Sequence, residues 1–287
     1  MATALVVCLD ERTDFDLALV EGDPADTHPD NAVAVADPDT AALLLRDQID
    51  AHPNAAAAVI DLLRHSLHRS PWDALYAESI AYSALLGAAD FRSWRASNPA
   101  ADDPGPTDEP VVTRRDGDTL SITLNRPERR NAMSRWVRDA ACAALDIAVH
   151  DPSLRVRLSG SGPAFCAGGD LAEFGANADL AAAHFVRLQQ NVGWRVHLIA
   201  ERVVADVHGA CVGAGIEIPA FARRIVAQDD AWFQLPELAM GLLPGAGGTV
   251  SLPRRIGPWR TAWLALSGQP IDVKTALAWG LVDERGD

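Results

Sequence analysis

Long apolar runs, paired cysteines, nucleotide-binding glycine motifs and an excess of basic residues are all missing from this chain. No apolar stretch approaches the ~20 residues that a membrane-spanning helix needs, so the sequence predicts no membrane contact. Asp10, Glu11 and Asp14 follow the first short apolar run, the wrong composition for a secretory leader. The cysteines Cys8, Cys142, Cys166 and Cys211 are scattered, with no CxxC and no clustering with histidine. That pattern predicts reduced thiols in a cytoplasm and no metal site. No GxGxxG follows a strand and no GxxxxGK[ST] occurs; PGAGGT at 244–249 lacks the lysine of a phosphate loop. Ser161, in SGSGP, has the wrong offsets for a GxSxG nucleophile elbow.

What is present is a 287-residue chain that is 48% apolar, with a mean hydropathy close to zero, as expected of a globular protein with one large core or two smaller ones. Its formal charge of −14 is unevenly placed: residues 1–110 hold 20 Asp and Glu against 6 Arg, whereas 111–287 hold 19 of each sign. The acidic half argues against a nucleic-acid partner. In the second half Arg126, Arg129, Arg130, Arg135 and Arg138 lie close together. They form either an attractor for an anionic ligand or a solvated helix face.

Read in order, ALVVCL and AVAVA predict short buried strands, with a turn-rich acidic loop between them. Asp39 is the expected cap for a helix to Ala51, and Pro53 starts the next, whose Val59, Leu62, Leu63 and Leu67 form an apolar stripe. A third helix is expected from Trp72 to Leu86 and a fourth over Ala88–Ala96. The four prolines in 98–110 predict an exposed linker reaching about 40 Å. Beyond it, VVTRRDGDTLSITL reads as a hairpin, followed by a helix capped by Ser134, a strand at Arg155–Ser159, and helix from Asp170 onward. Further on come helix over Leu180–Ala200, a strand at Val203–Val207, a helix at Val212–Ala222 and a strand at Arg224–Gln228, with helix and turn to the end. Alternating strands and helices predict an α/β core with parallel pairing.

The chemistry concentrates between Ala205 and Leu252. Glu217 follows the glycine-rich turn of Gly209, Gly213 and Gly215; Glu237 sits between Pro236 and the second glycine-rich turn, Pro244–Gly248. Two carboxylates in apolar surroundings suit acid–base chemistry, because burial and mutual repulsion raise their pKa values. Two glutamates that flank helices and face water are the alternative.

Four segments, LNRPERRNAM (124–133), GPAFCAGGDL (162–171), HGACVGAGIE (208–217) and FQLPELAMGLLPGAGGT (233–249), occur in an order and spacing that resemble the crotonase, or enoyl-CoA hydratase/isomerase, superfamily. The resemblance covers roughly 111–285. It implies an α/β fold, a crotonase-like (ββα) superhelix core. It also implies a coenzyme A thioester substrate, with no metal and no cofactor beyond that coenzyme A. Matched onto the motifs, an oxyanion hole would be made by the N–H groups of Gly169 and Ala214. Glu217 and Glu237 would hold a water for syn hydration of a trans-2-enoyl-CoA. Isomerase members commonly work with the second glutamate alone, and an idle acyl-CoA or partner-binding subunit is a third possibility. The substrate would lie along Arg129, Arg130, Ala132, Ala167, Asp170, Leu171, Gly213 and Pro236. His208 stands where asparagine is usual and reads as a turn residue; Arg223-Arg224 replaces the usual cysteine–aspartate pair; Cys166 and Cys211 read as small packing residues.

Family members continue past GLVDE with helices that cover the acyl pocket and build a trimer, whereas here GLVDE lies near Asp287. Residues 39–97 resemble those helices. The resemblance therefore implies a circular permutation: an acidic, mainly helical region 1–97, a linker 98–110 and a crotonase core 111–287. It also implies a homotrimer or hexamer, with the apolar segment after Glu237 as a subunit contact.

Overall fold

Leu17 and Leu19 are fully buried while Ala18 and Val20 are half-buried, and this alternation makes Asp16–Glu21 a further strand between the two that the sequence predicts. The structure, a computed structural model, describes residues 5–8, 16–26, 31–99, 105, 109–176 and 178–286. Strand β1 (Leu5–Cys8), β2 (Asp16–Glu21) and β3 (Ala32–Val35) form a small sheet in that order, antiparallel then parallel. Four helices follow: α1 (Pro38–Ala51), α2 (Pro53–Ser66), α3 (Pro71–Leu86) and α4 (Ala89–Ser97). The cap of α1 is Asp37 rather than Asp39. Its carboxylate accepts from the Asp39 and Thr40 amides at 3.0 and 3.2 Å, and Pro38 takes the first helical position, where a missing N–H costs nothing. On α2, Val59, Leu62 and Leu63 are buried as expected, but Leu67 lies past the helix end and is half exposed. The expected linker falls mostly on residues outside those described.

The second part is built on a six-stranded sheet. Its members are β4 (Val111–Asp116), β5 (Thr119–Leu124), β6 (Arg155–Gly160) and β7 (Val203–Val207), then β9 (Arg224–Ala227) and β12 (Glu284–Arg285), ordered β12-β9-β7-β6-β5-β4. Only β4 and β5 are antiparallel, joined by a tight turn with Gly117 at φ +57°. The others are parallel, which requires crossovers. Between β5 and β6 lies α5 (Arg135–His150), capped by Ser134; between β6 and β7 lie α6 (Leu180–Gln189) and α7 (Val192–Leu198), broken at the Asn191 cap. Residues 171–175 are turns rather than the expected helix. A second small sheet holds β8 (Ala210–Val212), β10 (Trp232–Gln234) and β11 (Ile271–Asp272). The expected helix Val212–Ala222 is only α8 (Ala214–Glu217) followed by a 3-10 turn, because Pro219 lacks the N–H that would extend it. The remaining described helices are α9 (Gly248–Ile256), α10 (Pro258–Ser267) and α11 (Val273–Trp279). Among the described residues no helix is long and apolar enough to cross a membrane.

Helices α1–α4 are packed onto this core. Helix α1 lies on α10, α2 on α9 and α10, α3 on α6 and α9, and α4 on the 3-10 turn Glu237–Met240. Arg254 on α9 closes the end of α2 by donating to the Ser66 and Arg69 carbonyls at 2.7 and 2.9 Å. Arg95 on α4 donates to the Leu171 carbonyl at 2.6 Å and to that of Phe174. Leu63, Leu75 and Phe91 therefore belong to the same hydrophobic cluster as Leu145, Val156 and Leu252. One shared core predicts one unfolding transition. Leu63→Ala and Val156→Ala should each lower the midpoint of the same cooperative denaturant curve, Leu63→Ala by about 2–4 kcal/mol. Two separable transitions, with Leu63→Ala moving only one, would contradict a common core.

Candidate active site

Parallel register brings the two glutamates together. Strand β10 pairs with β8 so that Gln234 stands beside Val212, and each strand runs straight into a carboxylate: Glu217 closes α8, and Glu237 opens the 3-10 turn after Pro236. Gly213 makes the corner between β8 and α8 at φ +50°, ψ −120°, and its amide donates to the Gln234 carbonyl at 2.9 Å. A β-carbon at Gly213 would stand 2.5 Å from Glu237 Oε1 and 3.7 Å from Glu217 Oε1. The two oxygens thus converge on one point and lie no more than about 6 Å apart, and no residue but glycine fits there.

Both carboxylates are buried, at 2% and 9% exposure, which excludes the solvent-facing alternative. Burial pushes the Glu217 pKa up to about 7, offset by two amides, Ala246 N–H at 2.7 Å and Gly248 N–H at 2.8 Å, both donating to Oε2. The Glu237 pKa is raised well above the ordinary carboxylate value, by burial first and then by the negative charges of Glu217 and Glu78. Its Oε2 is buried without a hydrogen-bond partner. Two carboxyl groups with different environments are thereby set to hold different numbers of protons.

The cavity beside them, about 430 Å³, is also lined by Gly169 and Ala214. Met133 and Gly169 form an isolated parallel bridge, and Ala214 is the first residue of α8. Neither the Gly169 nor the Ala214 amide donates to a protein acceptor among the described residues. Two unused N–H groups at the wall of a cavity are donors in search of an oxygen.

The other residues singled out from the sequence are placed unevenly. Asp170 lines the cavity, buried and ion-paired with Arg129 at 2.9 Å. Arg130 is exposed with a left-handed backbone, and its carbonyl accepts from Ala167 N–H at 2.9 Å. Ala132 donates to the Arg129 carbonyl, and Leu171 is exposed. Pro236 is half-buried and does not line the cavity. The basic cluster is less open than its spacing implied. Arg126 is fully buried against Ser134 and Glu128, Arg135 reaches Glu173 at 3.8 Å, and Arg138 pairs with Asp139 at 2.8 Å. The His208 ring bonds the Gly162 carbonyl at 2.9 Å, and the His208 carbonyl accepts from Phe165 N–H at 2.9 Å, as in a turn. Burial pushes the Cys166 thiol up to about 12 and Cys211 well above its usual value, so neither is a nucleophile.

Three residues at the cavity or beside it carry no role in the sequence reasoning: Glu78 and Arg187, on α3 and α6, and Tyr82, expected only on the apolar face of the third helix. Glu78 is 1% exposed. Its Oε1 accepts from Gly247 N–H at 2.8 Å, and its Oε2 from Thr249 N–H at 3.0 Å and Thr249 Oγ1 at 2.7 Å. Burial, and then the Glu217 charge, push its pKa to about 8. The signal was available, because a glutamate three residues after Leu75 and four before Tyr82 lies on the apolar face of α3.

Removing Glu78 tests this arrangement. Glu78→Ala leaves two buried amides and a hydroxyl without an acceptor and should cost about 2–4 kcal/mol in urea unfolding at neutral pH. Because the folded-state pKa is raised, the contribution of this carboxyl to stability is complete below about pH 4.5 and lost as pH climbs to about 8. Glu78→Gln, which does not titrate, should therefore gain on the wild type across that window; a pH-independent difference would refute the assignment.

The sequence profile of the enoyl-CoA hydratase/isomerase family matches residues 115–285. It begins in β4 and ends in β12, with α1–α4 outside it. The 2,3-dehydroadipyl-CoA hydratase of Escherichia coli is 34% identical over 175 residues, which is 61% of this chain and 68% of its own. A probable enoyl-CoA hydratase of Mycobacterium bovis is 33% identical over 178 residues, again 61% and 68%. Among solved structures, the enoyl-CoA hydratase of Thermoplasma volcanium superposes with a TM-score of 0.57 at 34% identity, over 62% of this chain and 72% of that one. The α/β core has the crotonase fold, and the chain belongs to the enoyl-CoA hydratase/isomerase family.

Proposed function

We propose that the protein is an enoyl-CoA hydratase. The observation that carries this reading is the convergence of Glu217 and Glu237 on one point of a cavity that also presents two unused amides. In the proposed reaction the thioester oxygen lies between the Gly169 and Ala214 N–H groups, which stabilise the charge it acquires. Glu217, held toward its ionised form by two amides, takes a proton from water as the water oxygen bonds to the β-carbon. The π electrons move to give an enolate. Glu237, whose surroundings favour the protonated form, then delivers a proton to the α-carbon. The net change is addition of one water across the double bond, and the two glutamates exchange protons with solvent afterwards. The coenzyme A portion lies toward the Arg129–Asp170 pair and the exposed Arg130, where charge-assisted donors can meet phosphate.

On the same reading, residues 39–97 are the helices that relatives carry after the core, moved to the front. Helix α3 supports this by supplying Tyr82 and Leu86 to the cavity wall. The same reading takes the protein as a homotrimer or hexamer, with a contact surface other than the apolar segment after Glu237. Leu238, Leu242, Leu243 and Val250, after Glu237, are already buried within this chain. Exposed apolar side chains lie instead on the packed pair α3 and α6: Tyr76, Ile80, Phe185 and Val186. Light scattering should report a trimer or its dimer, and a stable monomer at working concentration would remove this part of the proposal.

Hydration of crotonyl-CoA, followed by loss of the conjugated enoyl absorbance, tests the mechanism. Glu217→Gln and Glu237→Gln should each lower kcat by ~10²–10⁴-fold. In the wild type, kcat/KM should rise with pH about a midpoint near 7, as Glu217 ionises, and fall again at higher pH as Glu237 loses its proton. A nearly silent Glu217→Gln would hand the assignment to the isomerase, which needs one carboxylate. Silence at both positions would leave a binding subunit.

A further inference from the structure

We propose that Arg187 is the receptor for a carboxylate at the far end of the acyl chain, so that the cavity takes ω-carboxy acyl-CoA thioesters in preference to plain fatty acyl ones. This rests on the reading of the cavity as an acyl-CoA site. Three arginines line that cavity: Arg135, Arg138 and Arg187. The first two have carboxylate partners in Glu173 and Asp139. Arg187 differs. Only its Nη1 is engaged, with the neutral acceptors Ser79 O at 3.3 Å, Ser79 Oγ at 2.9 Å and Ser83 Oγ at 3.2 Å. Among the described residues no carboxylate comes within ion-pair distance of it.

The guanidinium is held in place as a binding group should be. It lies over the Tyr82 ring at 4.7 Å, and the Ser79 hydroxyl that anchors it is fixed in turn by His184 Nδ1 at 2.9 Å. These contacts tie up one nitrogen and one face, leaving Nε and Nη2, the two-pronged edge that matches a carboxylate. The Tyr82 ring rests against Gly245, where a β-carbon would stand only 2.3 Å from it, and it is close enough to Glu217 and Glu237 to sense their charge. The Tyr82 ring, Arg187 and the two glutamates therefore line one cavity, with the ring against the guanidinium and within electrostatic reach of the carboxyl groups. An acyl chain passing along that ring would end at the guanidinium.

Electrostatics favours an anion there. Burial makes the Arg187 charge costly and pulls its pKa down. The one carboxylate on the facing helix α3 that senses it, Glu78, already accepts from Gly247 and Thr249. A half-buried cation with no carboxylate partner lowers its cost by binding an anion from outside. A methyl-terminated chain would leave the cost in place, and that difference is the basis of selection.

The test uses saturated thioesters, which bind without reacting: the straight-chain series from butyryl-CoA to octanoyl-CoA, each compared with its ω-carboxy counterpart by isothermal titration calorimetry on the full chain. The wild type should bind the ω-carboxy member of at least one pair about ten- to a hundredfold more tightly, the span of a charge-assisted hydrogen-bonded contact. In Arg187→Met that ratio should fall to within about threefold of unity. In Arg187→Lys, which keeps the charge without the fork, it should be intermediate. No preference at any chain length in the wild type overturns the proposal. So does a preference that survives Arg187→Met. If the plain thioesters bind and the ω-carboxy ones do not gain, the coenzyme A reading stands and only the role of Arg187 is lost. If no thioester binds, both fall.

Discussion

Four consecutive amides at one glycine-rich turn hold this molecule together. Going along the chain, Ala246 donates to Glu217, Gly247 to Glu78, Gly248 to Glu217 again and Thr249 to Glu78. Successive N–H groups point to opposite sides of the turn, and each side carries one buried carboxylate. The turn opens α9, whose first amides have no partner inside the helix and carry partial positive charge. Two carboxyl groups that would be prohibitively costly to bury alone are buried because the turn supplies their hydrogen bonds, and they in turn satisfy its amides. Glu217 belongs to the core, whereas Glu78 arrives from α3, early in the chain. The same contact therefore shapes the candidate site and fastens the first helices to the rest.

On the proposed reading, that arrangement trades stability for reactivity. Glu78, Glu217 and Glu237 all have raised pKa values, with burial as the first cause in each case. Their mutual repulsion adds to the shift in Glu78 and Glu237. A protein selected only for stability would place apolar side chains in these positions. What burial gives instead is a pair of carboxyl groups that differ in protonation near neutral pH: Glu217 restrained by two amides, and Glu237 with one oxygen left bare. On the proposed mechanism, acid and base of the same residue type are separated only by what each one touches.

The core was legible in the sequence where its pattern was local. Alternation in TLSITL, the Gly117 turn and the Ser134 cap were all readable, and the motif glutamates Glu217 and Glu237 do meet. Their meeting depends on the parallel pairing of Val212 with Gln234, which no periodicity announces. Where tertiary context decided, the reading failed. Asp16–Glu21 is a strand because β1 and β3 flank it, and Pro219 cuts short a helix whose apolar pattern continues. The segment after Glu237 looked like a subunit contact because it is apolar, yet α4 and α10 pack on the 3-10 turn that begins it. Arg126 looked like a surface cation and is among the most deeply buried side chains. Glu78, Tyr82 and Arg187 were passed over because each is ordinary in its own helix; only the docking of α3 on α6 and α9 makes them neighbours of the site.

Helix α3 gathers these threads onto one face. Glu78, Ser79, Tyr82 and Ser83 are spaced so that one inward stripe carries all four. At one position the stripe grips the turn that orients Glu217; at the next it anchors the Arg187 guanidinium; one turn later it provides the ring over which that guanidinium lies. A shift of α3 along its axis would move the support of a candidate catalytic carboxylate and the anchor of the candidate selectivity residue together, because both hang on adjacent residues of one rigid element. Helices α1, α2 and α4 hold α3 in register through the shared core, so the apolar packing of these helices sets the geometry of a site whose motifs all lie in the remainder of the chain.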